Sequence, residues 1–208
     1  MSRFSNIVSY VTHPIFQPAV LVMLCALAPL TQGGNVETGK WITPFLLVII
    51  TTMLIPLLFI NALKKKGIVE DIMMRERSTR TSTYALMCLI FPLLGWGCQK
   101  LGYNPTLTLF CFEGYLLMTT ILFINLYWKI SIHCAGMGAL TINTAIIFLQ
   151  FGSPAAMLIA TIICGCAGAL TIYARIDTQS HTALQCMAGY GLGLCLPILF
   201  FATIYLLA

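Results

Sequence analysis

Charge is scarce in this chain. Of 208 residues, 11 are basic and 6 acidic, only 8% in all. A soluble domain of this length carries about a quarter charged residues, roughly 50. So few charges could not keep a surface wet, which excludes a water-soluble globular protein. Apolar residues make up 59% and mean hydropathy is +0.93, which excludes a disordered chain, whose composition is polar. A nucleic-acid binder needs a dense basic face, and 11 Lys and Arg do not supply one. Alternation of apolar with polar residues, the mark of a membrane β-barrel, is missing too. No dense group of carboxylates or His suited to a metal is present, so a metal-independent site without a cofactor is expected. No internal repeat is found, and no loop is long enough for a soluble domain. What remains is an all-α, polytopic transmembrane helix bundle, because ~20 apolar residues cross a bilayer as a helix.

The uncharged stretches give the count. Phe4 to Val36 holds only His13, Trp41 to Leu63 and Thr81 to Gln99 hold nothing ionisable but Cys and Tyr, and Leu101 to Trp128 holds one carboxylate, Glu113. Ile130 to Ala174 holds only His133, and Thr182 to Ala208 has no charge. The Ile130–Ala174 stretch is too long for one crossing, and Gln150-Phe151-Gly152-Ser153-Pro154 breaks it with a turn signature. Spans are expected at about 14–31, 42–63, 82–100, 106–128, 134–151, 154–174 and 183–207. The total is six or seven, depending on the first. Pro14, Pro18 and Pro29 lie in or beside that span. Ala26-Leu27-Ala28 has the form of a signal-peptidase site, but Pro29 follows it and Arg3 alone precedes it. The segment is expected to be an uncleaved span or a partly re-entrant helix. The whole chain, 1–208, is expected to form a single integral-membrane domain.

Nine cysteines suggest disulfides or metal until they are placed. Six lie well inside spans, where Cys behaves as a small apolar residue, and all nine take the structural reading. Gly189 and Gly193 form a Gly-x-x-x-Gly pair that lets backbones approach closely. Packing inside the monomer is the expected use, ahead of dimerisation.

Three loops collect groups that bind anions. The first, Lys64 to Arg80, carries Lys64, Lys65, Lys66, Arg75, Arg77 and Arg80. The second is Lys129-Ile130-Ser131-Ile132-His133. The third runs from Arg175 through Asp177 to His181, with Gln185 after it. Two spans separate the first loop from the second, and two more separate the second from the third. An even number of crossings returns the chain to the same face, so all three can meet on one side, as in short-looped bundles. Arg, Lys, Ser and two His together suit a phosphate. Arg presents a planar fork of donors to two oxygens, and His serves as nucleophile or acid near neutral pH.

These residues resemble the type 2 phosphatidic acid phosphatase superfamily, the integral-membrane lipid phosphate phosphatases. Its motifs are Lys-x6-Arg-Pro, Pro-Ser-Gly-His and Ser-Arg-x5-His-x3-Asp. Ala174-Arg175, five residues, His181, three residues and Gln185 match the third, with Ala for Ser and Gln for Asp. Ile130-Ser131-Ile132-His133 keeps the Ser and His of the second. In the first, Arg80 stands for the motif Arg, Thr81 replaces Pro and Met73 takes the Lys position, with Arg75 or Arg77 able to supply the charge. The resemblance spans about 64–207, the phosphatase-like core, and rests on the order and parity of the motifs.

The resemblance implies a mechanism. His181 attacks phosphorus and forms a phosphohistidine. His133 protonates the leaving oxygen and then activates water. Arg175, Arg80, Ser131 and Lys129 hold the phosphoryl oxygens. Gln185, on the His181 face of the helix, orients the imidazole without a charge. Asp177 is a possible substitute carboxylate. A lipid phosphate or diphosphate in the bilayer is the implied substrate: phosphatidate, phosphatidylglycerol phosphate, an isoprenyl diphosphate and a phosphorylated saccharolipid all fit.

Simpler readings stand beside these. His133 and His181 sit at span edges, where interfacial His is common, and His13 before Pro14 takes a structural reading. Lys64-Lys65-Lys66 is a topology anchor. Glu113 is expected to pair with a polar neighbour or to snorkel, and Asn143 and Thr144 to hydrogen-bond between helices. Three rivals are a small transporter, a haem protein with His133 and His181 as axial ligands, and a catalytically inactive relative. A transporter needs polar groups at the midplane, whereas the charges here gather at one face. A multi-pass protein of a bacterial cytoplasmic membrane is expected. The motif face carries Arg3, Lys64, Lys65, Lys66, Arg75, Arg77, Arg80, Lys129 and Arg175 against Lys40 and Lys100 opposite, which would place it in the cytoplasm. Bacterial relatives in the family commonly work on the outer face, so the side stays open, as does the oligomeric state.

Overall fold

In the computed structural model, residues 3–68 and 77–207 are described. Nine α-helices follow in order among them: α1 Arg3–Val11, α2 Gln17–Leu27, α3 Thr38–Ile49, α4 Ile55–Lys65, α5 Arg77–Lys100, α6 Pro105–Tyr127, α7 Ile132–Gln150, α8 Pro154–Asp177 and α9 Ala183–Leu207. Among the described residues, seven helical stretches are long and apolar enough to cross a membrane: Arg3–Gln32, Gly39–Lys65, Arg80–Lys100, Pro105–Tyr127, Ile132–Gln150, Pro154–Asp177 and Ala183–Leu207. The chain is an all-α, multi-pass membrane protein, and the span positions agree with the uncharged runs.

Proline explains the irregular helices. Pro56 has no N–H for the carbonyl four residues back and its ring crowds that carbonyl. The helix widens into a π turn at Ile50–Leu54, between α3 and α4. Such single π turns relieve this kind of mismatch. Pro14 breaks the first span: α1 ends at Val11, Pro14–Phe16 forms a 3-10 turn and α2 resumes at Gln17.

The helices group into two compact units, divided at Trp41/Ile42 and at Lys129/Ile130. Residues 64–207 therefore cross the division. One unit, residues 42–129, holds α4, α5, α6 and most of α3. Here α5 and α6 pack closely: a Cβ on Gly114 would meet the Phe91 ring at 2.9 Å. Asn125 Nδ2 donates to Thr81 Oγ1 at 3.3 Å across the pair. Glu113 is buried, 2% exposed, so it does not snorkel to the headgroups.

The other unit holds residues 1–41 and 130–208. Its centre is α7, the most buried of the seven spans. Small residues allow this, because Cys134, Ala135, Gly136, Gly138 and Ala139 run along its first half. A Cβ on Gly193 would collide with the Ala135 carbonyl, and one on Gly189 would lie 2.6 Å from the Ser131 carbonyl oxygen. The Gly-x-x-x-Gly pair thus seats α9 on α7 within the chain. Outward faces are large and apolar, as lipid contact requires: Ile163 on α8 is 63% exposed and Leu199 on α9 67%. All nine cysteines are free thiols.

Candidate functional site

The Arg-x5-His spacing has a local cause. Helix α8 ends at Asp177 and folds back in a Schellman turn. The Gln179 N–H donates to Ile176 O at 2.9 Å and Ser180 N–H to Arg175 O at 3.1 Å. The His181 N–H also reaches Arg175 O, at 3.2 Å. Five intervening residues are what the turn needs to lay His181 against the carbonyl of Arg175. Three other helices close the same way on Gly67, Gly102 and Gly152, but here the left-handed position is Gln179, φ 51°. A side chain there costs about 1 kcal/mol. Gln179→Gly is therefore expected to raise stability by about that amount, read as a higher Tm in detergent.

Helix α9 begins with a capping box. Gln185 N–H donates to Thr182 Oγ1 at 3.3 Å, and Thr182 N–H donates to Gln185 Oε1 at 3.2 Å. That second bond fixes the amide, since a backbone N–H only donates and must face oxygen. The same Oε1 lies 3.1 Å from His181 Nδ1. His181 therefore donates through Nδ1–H, which in the neutral form leaves the lone pair on Nε2. Gln185 thus bonds the His181 ring and caps α9 through the same amide oxygen.

The second loop meets the third. Ser131 N–H donates to Gln185 O at 3.3 Å, so the first turns of α7 and α9 lie side by side. Ser131 is wholly buried and caps α7, its Oγ accepting from the Cys134 N–H at 3.4 Å. Cys134 and Cys186, in the first turns of these two helices, are both fully buried free thiols. His133, in the first turn of α7, and His181 are each 6% exposed, and Arg175 is 7% exposed. A guanidinium so deeply buried is costly without anionic or carbonyl partners. Its place in the last turn of α8 helps, because a helix C-terminus favours a cation. Asp177 closes α8 and is half-buried.

One unit thus gathers His133, Ser131, Arg175, Asp177, His181 and Gln185. Arg80 and Lys129 belong to the other unit. There Arg80 is buried in α5, 4% exposed, and Lys129 is half-buried just after α6. Arg75, Met73 and the Arg77 side chain lie outside the described residues. Two residues were missed from sequence. Thr182 was legible, since Thr-x-x-Gln before an apolar run signals a capping box. His13 had no such signal: its ring packs edge-on against His133, centroids 4.8 Å apart at 83°.

The arrangement offers two imidazoles, one with its tautomer set, a buried guanidinium and the N-termini of two helices, whose amides and dipoles favour an anion. Among the described residues, no three His, Cys, Asp or Glu side chains converge as metal ligands would. No family model matches the chain, and neither a curated protein nor a solved structure matches it.

Proposed function

We propose that this chain is a membrane phosphatase that hydrolyses a lipid phosphate or diphosphate through a phosphohistidine, as a divergent relative of the type 2 phosphatidic acid phosphatases. The observation that carries the reading is the Gln185 Oε1 bond to His181 Nδ1, with the amide oriented by the Thr182 N–H. A nucleophilic imidazole needs its Nδ1–H held so that Nε2 keeps its lone pair, and a helix cap supplies the hold.

His181 Nε2 attacks phosphorus and the bond to the lipid oxygen breaks. His133 gives its proton to that oxygen. His133 then takes a proton from water, whose oxygen attacks the phosphohistidine, releasing phosphate and restoring His181. Arg175 and the first-turn amides of α7 and α9 counter the charge that spreads over the phosphoryl oxygens. Ser131 holds the first turn of α7 in place. Arg80 and Lys129 are assigned to phosphate by the resemblance alone. The substrate arrives from the bilayer of a bacterial cytoplasmic membrane.

Phosphate release from a panel of lipid phosphates in detergent tests the reading, with His181→Ala as the control. Activity on at least one lipid phosphate that vanishes in the control supports it. No release from any, or release that survives in the control, contradicts it. Gln185 adds a sharper expectation. Gln185→Glu keeps the cap and the acceptor and should leave kcat within about tenfold of wild type. Gln185→Leu removes both and should lower kcat about 100-fold.

A further inference from the structure

The N-terminal segment reaches this site, although it lies outside the motif-bearing region. His13 sits between α1 and the Pro14–Phe16 turn, and the Ile15 N–H donates to its Nδ1 at 3.3 Å. A backbone N–H needs an acceptor, so Nδ1 holds a lone pair. The ring is neutral, with its proton on Nε2. This ring is the one stacked edge-on against His133, with centroids 4.8 Å apart, inside the range where aromatic pairs attract. The Arg175 guanidinium lies within electrostatic reach of it.

The contact is fixed along the length of the segment. Gln17 fills the notch at Gly136, where an added Cβ would lie 2.6 Å from Gln17 Cδ. At the far end, Gln32 Nε2 donates to Gly152 O at 2.7 Å. The segment therefore runs alongside α7 and is held to it at His133, at Gly136 and just past its C-terminus. Helix α1 packs on α8 and turns small polar residues inward, with Ser5 and Ser9 buried and Phe4 and Ile7 more than half exposed. That is the packing of a helix in lipid, where small residues make the contact. Two independent anchors thus flank His13 and set where its ring lies.

We infer that His13 is a positioning residue for His133, its neutral ring restraining the imidazole that moves protons to and from the substrate. The inference rests on the phosphatase reading and extends it to a residue outside the three motifs.

Two variants separate ring from cap. His13→Asn keeps an acceptor for the Ile15 N–H and loses the ring. His13→Phe keeps a ring and loses the acceptor. In full-length protein assayed for phosphate release from phosphatidate, or the most active lipid of the panel, the Asn variant should lose at least about tenfold in kcat, with KM within about twofold. The Phe variant should stay within about threefold of wild type. An Asn variant near wild-type kcat, or a Phe variant as impaired as the Asn variant, overturns the inference. A second readout needs no turnover: the His133 ring resonance in imidazole-labelled protein should move in the Asn variant and hold in the Phe variant. No movement in the Asn variant overturns the inference as well. Absence of phosphate release in wild type would fail the phosphatase reading, while the resonance still decides whether His13 restrains His133.

Discussion

His181→Ala should abolish turnover, with kcat falling by at least ~1000-fold. The reading makes His181 the atom donor of the covalent bond, and no neighbour can replace it. His133→Ala should behave differently, losing roughly 100- to 10,000-fold as a general acid and base does. The difference shows with an aryl phosphate, whose leaving group departs without a proton. His133→Ala should then recover the first step and stall with phosphate on the enzyme. His181→Ala should recover nothing. Stopped-flow release of the aryl alcohol checks both, with a burst in the His133 variant and none in the His181 variant. Both side chains are only 6% exposed, so folding is monitored by size exclusion in the same detergent.

The second large effect is mechanical. Gly193→Val should destabilise the protein by about 3 kcal/mol, because overpacking a close helix contact costs this much. The added side chain has nowhere to go, since even its Cβ falls on the Ala135 carbonyl. Relief requires α9 to lift from α7. That movement opens the Ser131–Gln185 bond and separates the turn bearing His133 from the turn bearing His181. Activity should therefore fall further than the folded fraction does. Gly191, two residues away, has nothing within 4 Å of an added Cβ, and Gly191→Ala should leave kcat unchanged and Tm no lower, since Ala is the better helix former. Thermal melts of the two variants, each paired with a phosphate-release rate, check the contrast.

The spans were legible because lipid removes ambiguity. A stretch without charge that is long enough to cross has few alternatives, and the turn at Gln150–Pro154 divided the longest one where α7 ends and α8 begins. The first span was legible only from Pro14 onward. Only the packing of α1 on α8 shows that Ser5 and Ser9 face inward and that the helical stretch begins before Pro14. Parity brought the second and third loops together correctly, since counting crossings needs no distances. It says nothing about depth or contact, so the Ser131–Gln185 bond and the double duty of Gln185 had to come from geometry. His13 lies 120 residues from His133 in the chain, and no local pattern encodes a ring contact over that separation. The Arg175–His181 spacing was read as a motif. Its physical basis, a helix-ending turn that returns His181 to the carbonyl of Arg175, is visible only in the fold.

Trapping the intermediate tests the central claim most directly. Wild type and the His133→Ala variant are mixed with a ³²P-labelled aryl phosphate, whose leaving group needs no proton from His133, then quenched in alkali and digested. The account predicts an acid-labile, alkali-stable label on the peptide containing His181, stronger in the His133 variant because water attack is slowed, and absent from His181→Ala. Turnover without any such label, or a label that persists when His181 is replaced, would contradict it.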